Sequence, residues 1–226
     1  MPDPLPLQSR WLGRVQYKEA LALQESIVSD RILALKNNSP SSENRDVLLL
    51  LEHEPVYTMG RTPDQSSLRI QEELPHPVIR INRGGQATYH GPGQLIGYPI
   101  LDLTPQGRDL HQYLRILEEI VIEVLLGYNI TGQRLEGLTG VWVGKKKIAS
   151  IGIGVRHWIT MHGFALNVCG DLSPFQNITP CGIANLEMTS IEAESERAVS
   201  VKEVAEHLPA LFFKHINLNP SGAHSI

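Results

Sequence analysis

The amino-acid sequence predicts an α+β domain, or a mixed-sheet α/β domain, on three observations. Two long stretches carry apolar residues at helical spacing. Most of the other apolar segments have strand length, and three of them follow one another closely between residues 141 and 168, which favours antiparallel pairing. Helices and strands do not alternate regularly along the chain. A doubly wound parallel sheet is therefore not expected.

The first half of the chain contains one helix and several short strands. Apolar residues recur every three or four positions from Tyr17 to Lys36, which predicts an amphipathic helix. The unbroken apolar run Val47 to Leu51 is typical of a strand buried on both faces. Residues 53 to 74 are expected to be loop-like. Further strands are predicted at residues 78–82, 87–90 and 95–101.

The second half begins with a helix over about 109–126, which Gly127 is placed to end. Three strands are then expected at residues 141–143, 148–155 and 159–168. Ser200 and Glu203 have the spacing of a capping box and predict the start of a last helix. Pro209 is expected to kink or break that helix.

Composition describes an ordinary globular protein of one domain, residues 1–226. The chain has 42% hydrophobic residues and a net charge of −4, so nothing indicates a nucleic-acid partner. It has no secretory leader pattern and no apolar run of membrane-spanning length, so we expect a cytoplasmic protein without membrane contact. The two cysteines, Cys169 and Cys181, have neither disulfide-framework nor zinc-site spacing.

The segment RGGQATYHGPGQ, residues 83–94, has the pattern turn, strand, turn. Glycine turns around so short a strand leave backbone N–H groups and open space that a ligand chain can occupy. The alternative is an ordinary pair of hairpin turns. Neither the dinucleotide-binding nor the phosphate-binding glycine motif is present.

Two residues are candidates for nucleophilic chemistry. Cys181 lies between Pro180 and Gly182 after a polar loop, whereas Cys169 ends an apolar strand and is expected to be structural. A reactive thiol needs a nearby cation, because a free thiol is only a few per cent thiolate at neutral pH. Lys147 begins an apolar strand that can direct its side chain, whereas Lys145 and Lys146 are expected to be solvated. A lone cysteine is nevertheless more often structural than catalytic.

Four segments, RGGQATYHGPGQ, KKKIASIGIG, HGFALNV and ITPCG, resemble in order and spacing the signature segments of the bacterial-type octanoyltransferase family, also called lipoyl(octanoyl) transferases. The resemblance runs from about residue 13 to the last helix. It implies the fold of the biotin and lipoate protein ligases: a largely antiparallel mixed sheet packed with helices, plus a small second sheet. The catalytic region would span about residues 41–218.

The resemblance also implies residue roles. It places the acyl-thioester cysteine at Cys181 and the lysine that activates it at Lys147. His162 would transfer protons or line the pocket, its other interpretation being a hydrogen-bonded core histidine. The implied substrate-binding residues are Arg83, Gly84, Gly85, Gln86, Ala87, Thr88, Tyr89, His90, Ser150, Ile151, Gly152, Gly163, Phe164 and Ala165.

The implied reaction moves an octanoyl group from octanoyl-acyl carrier protein to the ε-amine of a lysine on a lipoyl domain, with no ATP and no metal. Acceptors would be lipoyl domains of 2-oxo-acid dehydrogenase subunits and the glycine cleavage H protein. Three alternatives stay open: an ATP-dependent lipoate or biotin protein ligase on the same fold, a non-catalytic lipoyl-domain binding module, and, less favoured, a cysteine hydrolase.

Overall fold

The computed structural model describes residues 7–37, 45–61, 74–179 and 186–217. A six-stranded sheet has the order β1-β2-β6-β9-β8-β7, and a second sheet of three strands has the order β4-β3-β5. The strands are β1 (Gln8–Val15), β2 (Val47–His53), β3 (Val56–Met59), β4 (Val78–Arg80), β5 (Ala87–His90), β6 (Gln94–Ile100), β7 (Val141–Val143), β8 (Lys146–Arg156) and β9 (Ile159–Asn167). The helices are α1 (Tyr17–Lys36), α2 (Leu110–Leu126), α3 (Ile191–Ser195) and α4 (Val201–Asn217).

Both sheets are mixed. Within the large sheet β1 pairs parallel with β2, while the other described pairings are antiparallel, including the predicted succession β7, β8 and β9. The small sheet joins β3 to β4 in parallel and to β5 in antiparallel fashion. The predicted α+β class, with a largely antiparallel mixed sheet and a small second sheet, is confirmed.

Strand β2 is buried on both faces, as its continuous apolar run predicts. Leu48 and Leu50 contact the core that contains α2 and α4. Val47, Leu49 and Leu51 contact the core beneath α1. Because successive side chains point to opposite faces of a sheet, one strand supplies both cores. Helices therefore cover the large sheet from either side.

The helix boundaries follow local chemistry. Helix α2 begins after Asp109, whose carboxylate accepts from the backbone N–H groups of His111 and Gln112. Helix α4 begins with the predicted cap, in which Ser200 Oγ accepts from Glu203 N at 3.1 Å. Pro209 does not break α4, which continues to Asn217. That part of the prediction was wrong, because burial of the helix against α2 outweighs one missing hydrogen bond.

Two strands were not predicted. The loop expected over 53–74 contains β3 at Val56–Met59, and β1 precedes the first helix. The strand expected at 78–82 ends at Arg80. In the parts of the chain that the structure describes, no helix combines the length and the apolar character needed to cross a membrane.

Candidate active site

A pocket lies where the small sheet meets the large one. Strand β5 and the turn before it form one wall, and the middle of β8 and β9 forms the other. The pocket holds about 500 Å³ of empty space when the solvent at its mouth is included. The backbone N–H of Gly84 donates to Ile153 O at 3.1 Å and ties the two walls together.

Three separate segments of the sequence meet in this pocket. Of the residues expected to bind substrate, the lining contains Arg83, Gly85, Gln86, Ala87, Thr88, His90, Ser150, Ile151, Gly152, Gly163, Phe164 and Ala165, together with His162. Gly84 and Tyr89 are not among the lining residues. Tyr89 points to the opposite face of β5, where its ring packs against Tyr57 and Phe175.

Two glycines face each other in the pocket floor where β8 and β9 pair, Gly152 and Gly163. A Cβ added at Gly152 would lie 3.0 Å from Arg83 Cδ, closer than an ordinary contact, so the arginine would have to shift. A Cβ added at Gly163 would clash with Gly97 O on β6. These glycines therefore let Arg83 and β6 pack closely against the pocket floor.

Arg83 is a buried cation that shapes the pocket wall. Its guanidinium donates to Thr58 O at 3.1 Å, to Thr58 Oγ1 at 2.9 Å and to Gly84 O at 2.9 Å. The side chain is only 8% exposed. Such a fork of donors holds the turn before β5 against β3.

His90 belongs to a chain of hydrogen bonds beneath the pocket. Its Nε2 lies 3.3 Å from Thr58 Oγ1, and its Nδ1 lies 2.8 Å from Gln94 Oε1. Gln94 Nε2 donates to Asn167 Oδ1 at 2.9 Å, and Asn167 Nδ2 donates to Thr189 O at 2.9 Å. Burial, first of all, lowers the pKa of His90 to about 3, with the nearby His53 adding to the effect.

The pocket lining also contains two tyrosines that the sequence did not indicate as site residues, Tyr17 and Tyr98. The hydroxyl of Tyr98 lies 2.8 Å from His53 Nε2, and His53 Nδ1 lies 3.1 Å from Val15 O. Burial raises the pKa of Tyr17 to about 12, so its hydroxyl stays protonated at neutral pH. Both tyrosines follow the apolar pattern of their elements, and sequence alone gave no signal of a polar role.

His162 lines the pocket from β9 in a left-handed backbone conformation, with φ of 57°. Its backbone N–H donates to Gln24 Oε1 at 2.8 Å. The ring nitrogen Nδ1 is buried and has no hydrogen-bond partner in the described structure. Burial, followed by the charges of Arg83 and Arg61, lowers the pKa of His162 to about 4. The imidazole is therefore neutral near pH 7.

Lys147 is buried, with 1% of its surface exposed, although lysines next to a turn are usually solvated. Its ammonium donates to Thr139 O at 3.0 Å and lies 5.1 Å from the centroid of the Trp142 ring. It lies three residues before Ser150 on the same strand, and it is not among the residues that line the pocket. Lys145 and Lys146 are exposed, as predicted.

Residues 187–189 lie beside this lysine. Lys147 N donates to Glu187 O at 2.8 Å, and Thr189 N donates to Lys147 O at 3.0 Å, so residues 187–189 run alongside the start of β8. Cys181 itself lies outside the described residues. Cys169 is partly buried, and burial, Glu192 and Glu52 raise the pKa of its thiol.

Within the described ranges, no group of three or more metal-ligating side chains is close enough to hold a metal ion. The expectation that neither a metal nor ATP takes part remains a prediction.

The chain belongs to the family described as the lipoyl protein ligase A/B catalytic domain, whose model matches residues 16–213. Among curated proteins it is 47% identical over 204 residues to an octanoyltransferase of Geobacter sulfurreducens, covering 89% of this chain and 81% of that one. It is 49% identical over 188 residues to an octanoyltransferase of Synechococcus elongatus, covering 81% and 78%. The resemblance to octanoyltransferases stated from the sequence is confirmed.

The fold has counterparts among solved structures. A bipartite lipoate protein ligase of Thermoplasma acidophilum, studied with its E2 lipoyl domain, superposes with a TM-score of 0.63 at 16% identity, covering 93% of this chain and 84% of that one. At this identity the likeness shows the shared fold alone.

Proposed function

We propose that this protein is an octanoyltransferase of lipoate biosynthesis, which moves an octanoyl group from octanoyl-acyl carrier protein to a lysine ε-amine on a lipoyl domain. The observation that carries the proposal is that the segments 83–90, 150–152 and 162–165 all contribute residues to one pocket, with Lys147 on the strand that carries residues 150–152. The identity of the acyl group is inferred from the names of the two curated relatives, which are both octanoyltransferases.

In the first half-reaction the thiolate of Cys181 attacks the thioester carbonyl of the donor. The new C–S bond forms as the bond to the carrier's phosphopantetheine sulfur breaks, and the departing thiolate takes a proton from the Lys147 ammonium, which becomes a neutral amine. The product is an octanoyl thioester on Cys181. Because one thioester replaces another of similar energy, this exchange needs no ATP.

In the second half-reaction the ε-amine of the acceptor lysine attacks the acyl-enzyme. An amide bond forms, the C–S bond breaks, and the Cys181 thiolate returns. The attacking nitrogen loses a proton, which the Lys147 amine, left neutral by the first half-reaction, accepts directly or through a relayed water. Conversion of a thioester to an amide is downhill, so the second step draws the first forward.

Lys147 supports this assignment through its surroundings. Its ammonium is held by a backbone carbonyl and an aromatic face in a buried site, where a cation acts more strongly on a neighbouring thiol than it would in water. Its backbone N–H donates to the carbonyl of Glu187, six residues after Cys181. Cys169 is less suited to attack, since burial and two carboxylates raise the pKa of its thiol.

In this proposal the octanoyl chain occupies the apolar part of the pocket, which Ile151, Phe164 and Ala165 provide beside the glycines. The partners are octanoyl-acyl carrier protein and lipoyl domains of 2-oxo-acid dehydrogenases or of the glycine cleavage H protein. No ATP and no metal enters the proposed mechanism.

The test is transfer from octanoyl-acyl carrier protein to an isolated lipoyl domain, followed by the mass of the acceptor. We expect a gain of one octanoyl group without ATP, and no gain when the acceptor lysine is replaced. Lys147→Met should slow the transfer by more than about 100-fold, the scale of general acid–base catalysis. Lys145→Met, at an exposed neighbour, is the matched control and should transfer normally.

Three results would contradict the proposal or a part of it. Transfer that requires free octanoate and ATP would identify an ATP-dependent ligase. Tight binding of lipoyl domains without turnover in any of these assays would identify a binding module. Equal losses in Lys147→Met and Lys145→Met would show that the wrong lysine carries the role.

A further inference from the structure

A carboxylate on α2 lies behind the loop that holds Lys147. Glu118 is 1% exposed, and it is flanked by two arginines: Arg115 Nη1 lies 2.6 Å and Arg134 Nε lies 3.0 Å from its Oε2. The other carboxylate oxygen, Oε1, accepts from the backbone N–H of Gly140 at 3.1 Å. Its two oxygens therefore have different tasks: one pairs with side chains, and the other binds a loop backbone.

The same loop receives the ammonium of Lys147. Thr139 O, one residue before Gly140, accepts from Lys147 Nζ at 3.0 Å. Gly140 has φ of 127°, and a Cβ there would lie 2.7 Å from Lys147 Cε and 3.1 Å from Nζ. The lysine side chain thus passes directly over a glycine whose N–H Glu118 binds. A shift of this backbone moves the oxygen that positions the ammonium.

We propose that Glu118 is a positioning residue for Lys147: it holds the Thr139–Gly140 loop so that Thr139 O and the open face of Gly140 place the ammonium. This inference rests on the proposed function, in which that ammonium activates Cys181. The arginines neutralise the buried carboxylate through Oε2, while Oε1 faces the loop. Helix α2 thereby contributes to the site without contacting substrate.

A plain stabilising role for the ion pairs makes a different prediction from a positioning role. Removing Glu118 leaves Arg115 and Arg134 without their shared carboxylate. Added positive charge near a thiol favours the thiolate, so electrostatics alone would lower the pKa of Cys181. Displacement of the Lys147 ammonium would raise it. The sign of the change in the pKa of Cys181 therefore separates the two roles.

The experiment measures the alkylation rate of Cys181 by iodoacetamide between pH 5 and 10, in Cys169→Ser protein so that one thiol reacts. Folding is checked by circular dichroism. We expect Glu118→Ala to raise the midpoint pH and to lower the rate at pH 7 roughly threefold or more, because fewer thiols are ionised. In a Lys147→Met background the same change should not raise the midpoint further.

Arg115→Ala and Glu119→Ala are the matched controls. Arg115 pairs with Oε2, and Glu119 pairs with Arg134, but neither side chain is bonded to Gly140 in the described structure. Both variants should keep the wild-type midpoint. If Glu118→Ala does not fold, Glu118→Gln carries the test. The two arginines attract its amide oxygen, which leaves its NH2 group facing the Gly140 N–H, so its midpoint should also rise.

The inference is overturned if the Glu118 variant keeps or lowers the midpoint while Lys147→Met raises it, and the proposed function then stands unaffected. If Lys147→Met itself leaves the midpoint unchanged, the role of that lysine in the proposed function is wrong, and the inference falls with it. A rise in Arg115→Ala equal to that in Glu118→Ala would show that disruption of the ion-pair network as a whole, not the hold on Gly140, is responsible.

Discussion

At the scale of single residues, the hydrogen-bond partners of a buried histidine determine which of its ring nitrogens carries the proton. Val15 O can only accept, so His53 Nδ1 must carry a proton, and His53 Nε2 then accepts from the Tyr98 hydroxyl. Gln94 Nε2 donates to Asn167, which leaves Gln94 Oε1 to accept from His90 Nδ1. Both ring nitrogens of His90 are thus engaged by other side chains of the protein.

His162 is the histidine whose role can be tested at the pocket. Because its pKa is lowered to about 4, mainly by burial, it does not change charge between pH 5.5 and 8. We predict that His162→Asn folds normally, since asparagine tolerates the left-handed conformation at φ of 57°. Transfer activity should fall less than about tenfold, with an unchanged pH profile, as expected for a group that lines the pocket but moves no proton.

Activity of His162→Asn, measured from pH 5.5 to 8 with the wild type as control, decides this point. A loss above about 100-fold together with a vanished inflection would show that His162 is a general acid or base. His162→Val serves as a second variant, in which a β-branched residue is forced into the same conformation and should cost stability.

The site could be anticipated from the sequence where a residue pattern carries its own chemistry. The glycines around residues 83–90 predicted open space, and Lys147 at a strand start predicted a directed side chain. Strand alternation, however, sends Tyr89 away from the pocket while Thr88 and His90 face it, and the sequence did not show which set would face inward. Tyr17 and Tyr98 were missed because a tyrosine on an apolar stripe gives the same sequence pattern whether its ring only packs in the core or its hydroxyl also donates a hydrogen bond.

At the scale of elements, long periodic helices were predictable, and short or exposed strands were not. Helix α1 has the predicted bounds, because its buried residues recur at helical spacing. Strand β1 is a largely exposed edge strand with no clean alternation, and only its parallel pairing with β2 defines it. Strand β3 has only four residues, and both its neighbours are distant in sequence.

In helix α4 the cost of an internal proline can be measured against the stabilisation that the packed helix provides. Pro209 lies inside the helix without an N–H to donate to Ala205 O. We predict that Pro209→Ala raises the free energy of unfolding by about 1–3 kcal/mol, because it restores a hydrogen bond and a residue of high helix propensity. Chemical denaturation measures the change.

Ala210→Pro is the matched control, since it makes the reverse change one residue later at an exposed position of the same helix. It should destabilise the protein by about 3 kcal/mol or more. A lower unfolding free energy for Pro209→Ala would mean that the proline ring makes contacts worth more than the missing hydrogen bond.

At the scale of the whole molecule, two sheets and the helices on them bring a neutral, buried histidine cluster to the pocket. Burial is the largest cause that lowers the pKa values of His53, His90 and His162, to about 4, 3 and 4 from a usual 6.5. A folded-state pKa below the unfolded value means that the unfolded chain binds protons first as the pH falls. The stabilisation that comes from keeping these rings neutral is therefore fully present above pH 6.5, and it is lost as the pH falls toward 4.

We predict that the free energy of unfolding falls between pH 6.5 and 5, with a slope that approaches about 1.4 kcal/mol per pH unit for each fully titrating histidine. Most carboxylates titrate below this window, so the histidines dominate it. His162→Asn should reduce the slope by about one third, and urea denaturation at several pH values measures it. A stability independent of pH across this window would contradict burial of these rings in the neutral form.

The central claim is an octanoyl thioester on Cys181, and intact mass spectrometry after mixing with octanoyl-acyl carrier protein, without ATP, tests it most directly. We expect one octanoyl adduct on wild type and on Cys169→Ser, removed by hydroxylamine as thioesters are. Cys181→Ser should show no adduct or a stable ester in its place. An adduct that persists as a labile thioester in Cys181→Ser, or an octanoyl-adenylate formed only with free octanoate and ATP, would contradict the account.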